Sequence, residues 1–189
     1  MKIFGIDPGS ERTGYGCVDS DGRSHRLVAC GAISAPAHAT FPERLLRIHT
    51  GLCALLAEHR PDAVAIENVF HSKNVRSALK LGHARGVALL AASQAGLLVA
   101  EYSPAEIKRA VVGFGRAEKQ QVGGMIKLLL RLDAIPAPHD AADALAVAIC
   151  HLHSCTGAIA AAMAPIAGAA GRRAAGAGKP LTSWRDYRP

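Results

Sequence analysis

The chain has 189 residues, half of them apolar and few aromatic, with a formal net charge of +7. That length suits one domain with a substantial, mainly aliphatic core. Met1-Lys2 leads straight into a strand-like run, and the longest apolar stretch, 155–171, is Ala/Gly-rich and weakly hydrophobic. The expectation is therefore a cytoplasmic protein with neither a signal region nor a membrane span.

Residues 2–7 predict a buried strand, and Pro8-Gly9-Ser10 a turn. Strands at 14–19 and 25–34 follow, separated by Asp21-Gly22, so the chain should open with an antiparallel meander. Pro42 opens a helix with Leu45, Leu46, Ile48, Leu52, Leu55 and Leu56 at helical spacing, ending before Pro61. A strand at 63–67 comes next. The helix after it, at 74–95, carries Leu79, Leu81, Val87, Leu89 and Leu90, and residues 97–102 predict a fifth strand. Ser103-Pro104-Ala105-Glu106 is a helix start, with Ser as N-cap and Pro in first position. Further helices are predicted at 118–131 and 139–152. Strands first, then alternating helix and strand, indicate an α/β fold with a five-stranded mixed sheet. From residue 157 the chain turns to Ala, Gly, Pro and Arg, so the expected division is a domain at 1–156 and a flexible tail at 157–189.

Charge is unevenly placed. Residues 1–69 hold 7 Lys/Arg against 8 Asp/Glu, whereas residues 70–131 hold 10 against 3. A basic stretch beside acidic ligands suits a polyanion such as nucleic acid, although solvated helix faces give the same count. The five cysteines form no CxxC pair. Cys17, Cys30 and Cys53 read as small buried hydrophobes. Cys150-His151-Leu152-His153-Ser154-Cys155 matches no usual zinc spacing and falls where a helix should end.

Four acids stand in core-like surroundings. Asp7 closes Ile3-Phe4-Gly5-Ile6, Glu67 closes Ala63-Val64-Ala65-Ile66, and Asp140 and Asp143 begin the last predicted helix. Asp140 and Asp143 are three apart and so share a helix face near its N-terminus, which favours anions. Buried carboxylates need partners or metal, and hard oxygen ligands favour magnesium or manganese. Two ions about 3.5–4 Å apart would make a phosphoryl-transfer site. Taken singly, Asp140 also reads as a first-turn acid and Asp7 as a turn aspartate. Glu67 is the least ordinary of the four, because Glu is depleted from strands.

These residues lie in a longer ordered pattern. It includes Gly5-Ile6-Asp7-Pro8-Gly9 with Thr13-Gly14-Tyr15-Gly16, then Ile66-Glu67-Asn68-Val69-Phe70 and Lys73-Asn74. Ser77-Ala78-Leu79-Lys80-Leu81-Gly82, Ala84-Arg85-Gly86, Tyr102-Ser103-Pro104, Ile107-Lys108 and Val111-Val112-Gly113 continue it. Ala117-Glu118-Lys119, Gln121-Val122 and Asp140-Ala141-Ala142-Asp143-Ala144-Leu145-Ala146 complete it. Over residues 1–153 the chain resembles the RuvC family of Holliday-junction resolvases.

The resemblance implies a ribonuclease H-like fold and a homodimer that works with the RuvA–RuvB branch-migration complex. It also implies magnesium-dependent nicking of two like-polarity strands of a four-way DNA junction, leaving 5′-phosphate and 3′-hydroxyl ends. By that resemblance Asp7, Glu67, Asp140 and Asp143 are catalytic, metal-binding acids, with two ions per site, Mn²⁺ being able to replace Mg²⁺. Lys108 and Lys119 lie near the scissile phosphate, and Phe70 stacks on bases near the junction centre. Lys73, Asn74, Arg76, Lys80 and Arg85 are the remaining expected DNA contacts.

Physical arguments run beside it. Lys119 near a helix start is disfavoured unless it meets an anion. Phe70 before a polar loop is either a core plug or a stacking wedge. Gly123-Gly124 should loosen the helix that carries Lys119, and roles for His71 and His139 stay open. Three other readings compete: an actin-like ATPase or sugar kinase, whose second lobe the chain has no room for, a junction-binding module without catalysis, and a nuclease for another branched substrate.

Overall fold

The computed structural model describes residues 1–36, 38–68 and 74–163, the last eight of these as backbone. The described strands are β1 (Lys2–Asp7), β2 (Arg12–Ser20), β3 (His25–Ser34), β4 (Ala63–Glu67) and β5 (Leu98–Tyr102). They form one sheet in the order β3-β2-β1-β4-β5. The first three pair antiparallel, as their short turns dictate. β4 lies parallel to β1, and β5 parallel to β4 across a helical crossover. The helices are α1 (Phe41–His59), α2 (Val75–Gln94), α3 (Pro104–Val112), α4 (Lys119–Leu129) and α5 (His139–Met163).

Strand periodicity divides the core into two layers. Ile3, Val18, Ala63 and Ala65 pack against α3, α4 and α5. Phe4, Ile6, Cys17, Val64 and Ile66 pack against α1 and α2 on the other face. Asp7 and Glu67 follow the odd-numbered set and so end on the α5 side of the sheet.

The sheet allows α5 an unusually close approach. A Cβ at Gly5 would lie 2.1 Å from the Ala144 carbonyl oxygen, and one at Gly14 would lie 2.0 Å from that of Asp140. Gly16 sits under Leu145 in the same way. Ala141, Ala144 and Ala148, all fully buried, present the matching small surface of the helix. Glycine on the strands and alanine on the helix bring two backbones together where larger side chains would hold them apart.

Helix starts follow the expected chemistry. The Ser103 N–H donates to Glu106 Oε2 at 2.8 Å, and the Glu106 N–H donates to Ser103 Oγ at 3.3 Å, which closes a capping box. One expectation is corrected. The last helix does not end at 152 but runs to Met163, so the expected boundary at 156/157 falls inside α5. The apolar residues that marked α2 divide between core and solvent, with Val87 and Leu89 packed against the core. That helix buries Ala84, Ala88, Ala91 and Ala92, leaving Leu79 60% and Leu90 52% exposed. Gly123-Gly124 lies inside a continuous α4, where a Cβ at Gly123 would meet Ile135 at 3.1 Å. No described helix is long and apolar enough to cross a membrane. The five cysteines are free, with Cys17 and Cys150 buried and the others half-buried.

Candidate active site

β1 and β4 run side by side with Ile6 level with Ile66, so the next residues, Asp7 and Glu67, emerge together at the strand ends. Their carboxyls share a hydrogen bond. Asp143 reaches the same place from the first turns of α5. Lys108 of α3 and Lys119 of α4 close the other side, and these five side chains line a pocket of about 240 Å³ floored by Ile107, Val122 and Ala146. Asp140, one turn earlier on α5, faces a neighbouring groove, where Arg12 Nη1 donates to its Oδ2 at 3.4 Å.

The pocket concentrates negative charge in a poorly hydrated space. Burial, then the charges of Glu67 and Asp143, push the Asp7 carboxyl up to about 8; the Glu67 hydrogen bond and the Asp140 charge add to this. Burial likewise raises Glu67, opposed by its bond to Asp7 and by Lys119 and Lys108. Asp7 and Glu67 thus retain a proton between them near neutral pH unless a cation replaces it. Lys119 Nζ donates to Asp143 Oδ2 at 2.9 Å, which holds the ammonium above its ordinary range. This contact explains a lysine at a helix start: it answers an acid on α5.

Among the described residues, no three His, Cys, Asp or Glu side chains form a finished metal cage. The donor set nevertheless fits a hard divalent cation. It offers carboxylate oxygens, and the charge that lifts Asp7 is the charge such an ion would neutralise. Lys119 pairs with Asp143, and Arg12 with Asp140.

The other expected contacts lie apart from the pocket. Asn74 caps α2 by accepting from the Arg76 N–H at 2.9 Å, and Arg76 is exposed. Lys80 Nζ stands 5.9 Å from the centroid of the Phe41 ring. Arg85 is paired with Glu101 of β5 and is 27% exposed, so it is not free for a phosphate in this arrangement. Phe70, Lys73 and His71 lie outside the described residues. His139 is exposed at the first position of α5. The Cys150–Cys155 segment lies within α5, where the His151 ring bonds the Tyr102 hydroxyl at 2.8 Å. Arg12 and Arg44 beside Asp140 were not expected. The only sequence signal for Arg12 is its place five residues after Asp7, in the turn that the first acid opens.

A mixed five-stranded sheet with its first three strands antiparallel, and acids at the ends of its two central strands and on the helix crossing them, defines a ribonuclease H-like protein. The match to family models narrows this class: the model described as crossover junction endodeoxyribonuclease RuvC covers residues 3–151. The chain belongs to the RuvC family. It is 60% identical over 152 residues to the crossover junction endodeoxyribonuclease RuvC of Halorhodospira halophila, covering 80% of this chain and 90% of that one. The structure of Thermus thermophilus RuvC in complex with a Holliday junction substrate matches with a TM-score of 0.80 at 36% identity, over 84% of this chain and 96% of that one. The yeast mitochondrial Holliday junction resolvase shares the fold alone, with a TM-score of 0.59 at 13% identity, over 84% of this chain and 82% of that one.

Proposed function

We propose that this protein is a magnesium-dependent endonuclease that resolves four-way DNA junctions by nicking two strands of like polarity, in recombination and repair. The observation that carries the reading is the half-buried Asp7–Glu67 pair, facing Asp143, Lys108 and Lys119 in one pocket. Asp7, Glu67, Asp140 and Asp143 are the residues that would hold Mg²⁺ or Mn²⁺, as two ions. Bound there, the ions would supply charge neutralisation of the phosphate and a more acidic water. The chain's own groups prepare that state. Asp7 and Glu67 would hold the ions in place of their shared proton, and Lys119 would pair with a phosphate oxygen. Lys108 holds the same phosphate from α3. Hydrolysis in line with the 3′-oxygen leaves a 5′-phosphate and a 3′-hydroxyl.

Two-fold symmetry suits a substrate with two equivalent strands, so the active form is a homodimer. Its support is the outer surface of α2, where Leu79, Gly82, His83, Gly86 and Leu90 border a shallow apolar depression of about 470 Å³ with Leu45 of α1. A Cβ at Gly82 or Gly86 would meet nothing within 4 Å, which leaves room for a partner helix. Lys73, Asn74, Arg76, Lys80 and Arg85 extend the DNA path, and Phe70 stacks on bases near the junction centre. For Arg85 this requires leaving Glu101. Residues 1–156 contain the nuclease, and 157–189 add basic charge. Family membership supports work beside a RuvA–RuvB complex, and five unpaired cysteines suit the cytoplasm.

The deciding experiment measures nicking and binding of a synthetic four-way junction, beside linear duplex and three-way DNA, with magnesium or calcium. Wild type should nick only the four-way junction, and only with magnesium. Asp7→Asn should bind the junction in calcium and cut nothing. Wild-type nicking without a divalent ion, or equal cutting of linear duplex, overturns the proposal.

A further inference from the structure

We propose that the groove between the β1–β2 turn and the start of α1 is a second phosphate-binding site, in which Arg12 and Arg44 grip the DNA backbone away from the phosphate that is cut. The inference rests on the nuclease reading and deepens it. The groove measures about 740 Å³ and is walled by polar groups, among them Ser10, Arg12, Ser34 and Arg44. It meets the acids at Asp140, on the β2–β3 side of the sheet. Lys108 and Lys119, of α3 and α4, line the adjoining pocket with Asp7, Glu67 and Asp143. A strand laid across the carboxylates would therefore meet cations on both sides of them.

The site is built rather than merely charged. Thr13 is fully buried, and its hydroxyl donates to the Gly9 carbonyl at 2.8 Å and accepts from the Gly9 N–H at 3.3 Å. A Cβ at Gly9 would lie 2.1 Å from the Arg12 carbonyl oxygen, so this turn is tightly wound. Arg12 is thereby presented from a fixed backbone, with its side chain 52% exposed. Arg44 is 22% exposed, and its Nε donates to the Ala39 carbonyl at 3.0 Å, which orients the guanidinium. Fork-shaped guanidiniums suit phosphate oxygens. Each arginine now rests on a carboxylate: Arg12 on Asp140 at 3.4 Å and Arg44 on Glu11 at 3.6 Å. Both contacts are loose. Cations at the catalytic acids would release Arg12, and Glu11, 85% exposed, can swing away. Glu11 therefore competes with the phosphate.

The test compares wild type, the double variant Arg12→Gln/Arg44→Gln, and Glu11→Gln. Junction affinity is measured in calcium across a salt series, and nicking in magnesium. The double variant should bind roughly tenfold more weakly and lose about 0.9 from the slope of log affinity against log salt, the loss of one phosphate contact. Glu11→Gln should bind more tightly than wild type, and its exposed side chain makes a folding defect no explanation. Single methylphosphonates along the cut strand should reveal one position, other than the scissile one, that weakens wild type but not the double variant. If wild type nicks normally while the double variant keeps its affinity and slope, the groove proposal falls and the nuclease reading stands. If wild type does not nick, the underlying reading falls first.

Discussion

The close seat of α5 on the sheet leads to a sharp expectation for Gly14→Ala. The new Cβ would stand 2.0 Å from the Asp140 carbonyl oxygen, whereas real Cβ atoms keep at least 3.0 Å, so strand and helix must part by about 1 Å. α5 carries both Asp140 and Asp143, so the separation displaces two acids relative to Asp7 and Glu67. Overpacking of this kind costs about 1–3 kcal/mol of stability. A misplacement of about 1 Å at a reacting centre can cost about 100-fold in rate. The expectation is a stably folded protein, destabilised by that amount in urea, that binds a four-way junction within a few-fold of wild type. Its single-turnover nicking should fall by about two orders of magnitude. Gly124→Ala is the control. No atom lies within 4 Å of its Cβ, and it sits inside α4, so it should gain up to about 1 kcal/mol and nick normally. Wild-type nicking by Gly14→Ala, with unchanged stability, would show that the helix seat does not set the site's geometry.

Further expectations concern charge. Lys119→Met should slow nicking by about 100-fold in single-turnover measurements, and Lys119→Arg should recover part of it, since charge is kept while its geometry changes. A wild-type rate in Lys119→Met would remove this lysine from the mechanism. His25 Nε2 lies 3.2 Å from His153 Nε2, and burial together with that neighbour holds His25 below its ordinary value of 6.5. Its contribution is therefore complete above that value and lost as pH falls, because the unfolded chain takes up the proton first. Between about pH 7.5 and pH 5.5, wild type should lose more in Tm than His25→Gln does over the same interval. Identical losses by scanning calorimetry would contradict it. Ending the chain after Met163 removes five Lys/Arg and one acid. Nicking should survive this, with junction binding weaker only at elevated salt in gel-shift titrations; complete loss of cleavage would count against it.

Local patterns made much of the molecule legible. Alternation and turn residues marked the strands within a residue or two, and Ser103-Pro104 with Glu106 announced the start of α3, because these signals act between near neighbours in the chain. The acids stood out for a related reason: a carboxylate ending an apolar strand is conspicuous without any fold. Charge counting failed where pairs cross the chain. The first 69 residues are nearly neutral in sum, which hid Arg12 and Arg44 beside Asp140, 128 positions from Arg12. Periodicity placed α2 without showing that Ala84, Ala88, Ala91 and Ala92 form its inward face, because helix–helix distance and not hydrophobicity alone selects that side.

The order of elements, the acids and the caps were thus determined by the sequence itself, through interactions a few residues long. Only tertiary structure decided that β4 lies beside β1, that three strand glycines let α5 settle onto the sheet, and that Lys119 meets Asp143 while Arg12 meets Asp140. Those outcomes depend on backbone separations between segments far apart in the chain, and no short stretch of residues encodes such a distance.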